Sequence, residues 1–206
     1  ARVEEYGMNM HYHVQGDNAI NAVLDALEAV LAQKGEIKAT HTLIHLAFVT
    51  PEQIARIKAF NGKVVTTTQP GFWAVEEGTE YYYGEHADEA YPIKAMFDAG
   101  LSVGVSTDFS VSPLLYSPAT AVIRVATTGA GNPAVHAPLS ARDMVEGLTL
   151  GSARTTEKLD TGKLDIGYKA DMVVFDQDLY ALEPEDFTAA NPKVLATYLG
   201  GQRVLR

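Results

Sequence analysis

His13, His45 and Asp108 are the residues whose types and spacing best suit metal chemistry in this chain. They lie 32 and 63 residues apart, close to one and two βα repeats of roughly 30 residues each. Each falls at the carboxyl end of a segment that reads as a strand, and side chains at such ends share one crevice in α/β proteins. Two imidazoles and a carboxylate suit zinc and similar divalent ions. With no cysteine in the sequence, thiolate sites and disulfides are excluded, so a metal here must be held by His and carboxylate. Residue type alone leaves a plainer reading open. A strand-end histidine often serves as a hydrogen-bonded structural group, and Asp108 suits a helix or loop cap.

The elements that must position these residues are written in the hydrophobic pattern. Met8 to Val14 reads as a strand, and Asp17, read as a cap, opens a helix with Ile20, Val23, Leu24, Leu27, Val30 and Leu31 at helical spacing. Ala39 to Ala47 is a second strand. Thr50-Pro51-Glu52-Gln53 then forms a capping box with Pro at the first helical position. Asn61-Gly62 stops that helix, and Lys63 to Thr68 is a third strand ending at Gln69-Pro70. Beyond an aromatic loop at 71–88, a helix with Ile93, Met96 and Phe97 ends at Gly100, and Leu101 to Ser106 is the fourth strand. Strands alternating with helices imply a parallel sheet. The pattern alone does not choose between an open sheet and a barrel.

A helix is expected from near Ser117-Pro118, then a Gly/Pro stretch, then a helix capped at Ser140. From Gly162 the pattern changes to short strands and turns, including Met172 to Phe175 and Val194 to Leu205. The expected division is therefore residues 1–158 as the α/β part and 159–206 as a small β module. A composition 47% hydrophobic and 20% charged is that of a globular domain, and a net charge of −10 disfavours nucleic acid and anionic lipid as partners. The absence of cysteine fits a cytoplasmic protein. The opening Ala1-Arg2-Val3-Glu4-Glu5 is no signal peptide, and a start without Met or a preceding cap suggests a cut or processed product.

Four stretches carry a family resemblance. His11-Tyr12-His13-Val14-Gln15-Gly16-Asp17 resembles the fifth-strand motif of the amidohydrolase superfamily, closest to the family-3 type that includes N-substituted formamide deformylase-like enzymes. Leu43-Ile44-His45-Leu46-Ala47 is similar to its sixth-strand segment, and Gly104-Val105-Ser106-Thr107-Asp108 to its eighth, with Thr107 where that family commonly has Ser. Gly162 to Asp176 resembles the run with which these proteins leave the barrel and re-enter a composite β-sandwich. The resemblance implies the C-terminal half of a (β/α)8 TIM barrel, strands 5 to 8, plus part of a small β-sandwich.

It further implies hydrolysis of a C–N bond in an amide, formamide or cyclic amide-like substrate through metal-activated water. His13, His45 and Asp108 would serve the metal, zinc by default and one or two ions, with Asp108 also the proton-transfer group. The aromatic loop, with Trp73, Tyr82 and the nearby His86, is placed as a substrate lid or as ordinary packing. His41 and His136 have no assigned role. His11-x-His13 also fits the family's strand-one pair, but Gly16-Asp17 follows as in the fifth-strand motif. The strand-one pair and a strand-four lysine have no counterpart here. Two expectations follow: an enzyme whose barrel is completed by further sequence, or a catalytically incomplete half-barrel that binds or assembles. Unpaired edges favour a homo-oligomer or pairing with the N-terminal part.

Overall fold

The structure, a computed structural model, describes residues 2–69, 84–106, 108, 139–182 and 192–205. Four strands, β1 (His11–Val14), β2 (His41–His45), β3 (Val64–Thr68) and β4 (Val103–Val105), form a parallel sheet in that order. Parallel neighbours need crossovers, and helices supply them: α2 (Asp17–Lys34) between β1 and β2, α3 (Pro51–Ala59) between β2 and β3, and α4 (Ile93–Asp98) before β4. A second sheet is antiparallel, with β5 (Met172–Phe175), β6 (Val194–Leu199) and β7 (Gln202–Leu205) in sequence order. Its hairpin turns at Gly200-Gly201, with φ of 56° and 81°, the double left-handed turn that glycine adopts without strain.

Local signals explain the helices. Thr50 accepts from Gln53 N at 3.2 Å while Gln53 Oε1 accepts from Thr50 N at 3.0 Å, closing the capping box that starts α3. Ser140 and Asp143 close an equivalent box at α5 (Ala141–Glu146). The start of α2 differs from expectation. Gly16 is the cap residue and makes no side-chain bond, while Asp17 is the first helical residue, where its charge favours the positive end of the helix dipole.

The register divides the sheet into two faces. Val14, Leu43, Val64 and Val103 lie on the face packed against Ile20, Leu24 and Leu27 of α2, Ile57 of α3, Met96 of α4 and Met144 of α5. Burying each such side chain contributes about 2 kcal/mol. The opposite face carries His11, His13, Thr42, Ile44, Val65, Thr67 and Gly104. Part of it is covered by the helical run that continues α5 through a π turn (Gly147–Gly151) into α6 (Ser152–Thr155).

That run also covers the outer edge of β4, which modifies the expectation of two unpaired edges. Ser152 Oγ donates to Val105 O at 3.2 Å, and a Cβ on Gly151 would stand 1.9 Å from Val103 O. Only glycine permits this approach of helix to edge. The helix expected near Ser117-Pro118 and residues 71–83 of the aromatic loop lie outside the described residues, while the last residues of that loop belong to the turn Gly84–Glu89. No described helix is long and apolar enough to cross a membrane.

The start of β2 is anchored by an element too short for periodicity to reveal. In α1 (Arg2–Glu5), Glu4 is buried and its carboxylate accepts from Lys38 N (2.9 Å), Ala39 N (3.2 Å) and His41 Nε2 (2.8 Å). This gives His41 a structural role at the amino end of β2. Burial alone would raise the Glu4 carboxyl, but the hydrogen bonds from Lys38, His41 and Ala39 outweigh it and hold the group below its ordinary 4.5. A lowered folded value means that the contribution is complete above that ordinary value and is lost as pH falls through the folded one. Chemical denaturation of Glu4→Ala should show a loss of about 3 kcal/mol at neutral pH and a smaller difference from wild type in acid. Equal stability at neutral pH would contradict the anchor.

Candidate metal centre

His13 and His45 come together because their strands are neighbours in parallel register. His13 pairs with Ile44 and Val14 with His45, so both histidines stand at the carboxyl end of the sheet. Strict alternation would set His45 on the helix-covered face with His41 and Leu43. The backbone leaves the extended region there, with φ of 78° at His45 and 51° at Leu46. The His45 ring ends 4.5 Å from that of His13, centroid to centroid, tilted by 46°. A left-handed backbone at a non-glycine residue costs about 1 kcal/mol, and such strain collects at functional sites. Asp108, just beyond β4, shows the same feature with φ of 59°.

The two imidazoles have different surroundings. His13 is exposed, and its Nε2 lies 3.2 Å from the Gln15 amide nitrogen, which orients the ring. His45 is 4% exposed. Burial first, and then the His13 imidazole, hold His45 below the usual histidine range. The charge of Asp108 and a hydrogen bond with Gln69 oppose that shift without overcoming it. His45 is thus neutral at physiological pH. Asp108 is exposed and close enough for its charge to act on the ring.

Among the described residues no group of three His, Asp or Glu side chains stands close enough to grip an ion. What the structure unites is the imidazole pair, with Asp108 as an electrostatic neighbour. This donor chemistry fits a divalent ion as a partial set. His86 is exposed on the turn Gly84–Glu89, where its Nδ1 donates to Glu89 Oε1 at 3.0 Å. Trp73 and Tyr82 lie outside the described residues. His11 shares the face of His13 and is exposed. The sequence reading passed over Gln15 and Gln69. Gln15 follows His13 by two residues and Gln69 ends a strand beside the site, and those positions were the available signal.

Comparison with known proteins places this geometry in context. Residues 1–205 match the amidohydrolase family. An N-substituted formamide deformylase of Arthrobacter pascens is 30% identical over 217 residues, covering 97% of this chain and 37% of the relative. Among solved structures, an uncharacterised metal-dependent hydrolase from Pyrococcus horikoshii superposes with a TM-score of 0.73 at 26% identity, covering 88% of this chain and 36% of that one. An adenosine deaminase from Xanthomonas campestris with bound zinc gives 0.65 at 20% identity, covering 99% and 47%, a likeness of fold. The chain therefore spans a little over a third of the length of the relative and the Pyrococcus hydrolase, and about half of the deaminase.

The opposing influences on His45 set a titration test. By NMR its midpoint should fall below 6.5. His13→Ala should move it upward, though burial keeps it below that value, and Asp108→Asn should move it further down. Shifts of the opposite sign would contradict the electrostatics of the pair.

Proposed function

We propose, from the premise that the chain belongs to the amidohydrolase family, that it is the C-terminal part of a metal-dependent hydrolase of C–N bonds. The observation that carries this reading is the juxtaposition of the His13 and His45 rings at the carboxyl ends of adjacent parallel strands. His13, His45 and Asp108 would hold a divalent ion, with zinc the default for imidazole and carboxylate donors. The solved deaminase with bound zinc supports that choice. When bound, such an ion supplies Lewis-acid polarisation of a carbonyl and acidifies a water.

The chain's own residues supply positioning and proton transfer. His45 presents a neutral imidazole to one side of the crevice beside His13, whose more exposed ring the Gln15 amide steadies. Asp108 takes a proton from the attacking water and delivers it to the leaving nitrogen, so that the amine departs neutral. The substrate is a small amide, formamide or cyclic amide-like molecule, in keeping with the deformylase relative. His86, on the turn that follows the aromatic loop, would face the substrate in this reading.

The four parallel strands are read as strands 5 to 8 of a (β/α)8 barrel, within residues 1–158, and β5 to β7 as part of a β-sandwich, within 159–206. The second sheet supports this, since it leaves apolar side chains exposed on both faces, Val173, Leu195 and Leu199 on one and Val174 on the other, each more than two-fifths exposed. The missing βα units, carrying the remaining metal donors, would enter at the β1 edge. Closing the barrel onto β4 would require the Gly151-Ser152 segment to swing off that edge.

Zinc analysis and amide-hydrolase assays on this chain, and on a longer polypeptide that includes its upstream sequence, test the reading. The longer protein should retain zinc and hydrolyse amides. His13→Ala or His45→Ala should lose the metal, and Asp108→Asn should lower kcat by about 10²–10⁴-fold. A longer protein that keeps both metal and activity without these side chains would refute it.

A further inference from the structure

Strand β1 sets two histidines on one face. Val14 enters the core, and the Tyr12 ring lies 5.9 Å from that of His41, centroid to centroid, so both belong to the helix-covered side. His11 and His13 alternate with them and share the opposite face. Positions i and i+2 of a strand are roughly 6.6 Å apart along its axis, a span across which two imidazoles on long side chains can meet at one ion. Both side chains are exposed, and the His11 ring makes no hydrogen bond or ion pair among the described residues. Among those residues β1 is also the outer strand of its sheet, so the pair is open to solvent. His13 therefore has two imidazole neighbours: buried His45 across the sheet, with ring centroids 4.5 Å apart, and exposed His11 along the strand. The core fixes the His45 ring, whereas His11 can change rotamer to suit an ion's geometry.

We infer that His11 and His13 form a second metal site, a two-imidazole chelate for Cu(II), exclusive with the His13–His45 pair because His13 serves both. Copper(II) heads the affinity order of divalent ions for nitrogen donors, and it accepts imidazoles in a tetragonal arrangement that water completes. Holding both rings on one rigid strand makes the second bond intramolecular, which strengthens binding by roughly 10²–10⁴-fold over a single ring. The copper site stands on the geometry of β1. Only its consequence, the withdrawal of His13 from zinc, rests on the metal-site reading. A copper ion held this way would displace zinc from the candidate centre without any contact with His45 or Asp108.

The test is Cu(II) binding to the metal-free chain, with bound nitrogens counted by electron paramagnetic resonance and affinity measured by competition with glycine. Wild type should hold the ion through two imidazole nitrogens. His11→Ala and His13→Ala should each bind copper roughly 100-fold more weakly, while His45→Ala should match wild type. Circular dichroism checks that each variant is folded. Wild-type affinity in a folded His11→Ala protein overturns the inference, and so does a loss in His45→Ala as large as that in His13→Ala. Copper held by one imidazole or none in wild type overturns it without any variant. Zinc affinity, measured separately, tests the other reading: if wild type and His13→Ala bind zinc equally weakly, the metal-site reading fails, while the copper series still decides the role of His11.

Discussion

The turn of the backbone at His45 is the constraint on which the candidate centre depends. A strand in strict alternation would give His45 to the apolar layer under the helices, beside Leu43, and leave His13 without a partner. The left-handed conformation at His45 and Leu46 brings the ring back against His13 instead. Its cost of about 1 kcal/mol is small against the burial of the surrounding core. The rigid sheet holds the turn in place: Leu46 N donates to Val14 O at 3.0 Å, so the residue that follows His45 is still tied to β1.

The two ends of β2 carry histidines with opposite duties. His41, at the amino end, is spent on the buried carboxylate of Glu4 and anchors the strand. His45, at the carboxyl end, is held neutral by burial and by its imidazole neighbour. Only three residues separate them, and the difference lies in what faces each ring: a carboxylate locked by two backbone donors in one case, a second imidazole and a glutamine amide in the other. Under the proposed function this matches the division between stability at the amino ends and chemistry at the carboxyl ends of parallel strands.

The repeating βα pattern was legible in the sequence because helical and strand periods alternate cleanly from Met8 to Ser106, and because Thr50 and Ser140 are strong caps. The spacing of His13 and His45 therefore translated directly into neighbouring strand ends. Less legible was anything that depends on contacts between distant segments. Helix α1 has four residues and no period; its reason for forming is the pocket for Glu4 made by residues 38, 39 and 41. The cover over β4 depends on Gly147 and Gly151 approaching Val105 and Val103, which a sequence shows only as two glycines in a helix. Gln69 read as a strand end, since nothing local reveals that its amide reaches His45 and Ser106.

The central claim is that His13 and His45 form one metal-binding pair, and X-ray absorption at the zinc edge of the zinc-loaded longer protein tests it most directly. Two imidazole nitrogens at about 2.0–2.1 Å are expected, with one lost in each of His13→Ala and His45→Ala. A zinc environment of oxygen donors alone, or one unchanged in both variants, would contradict it.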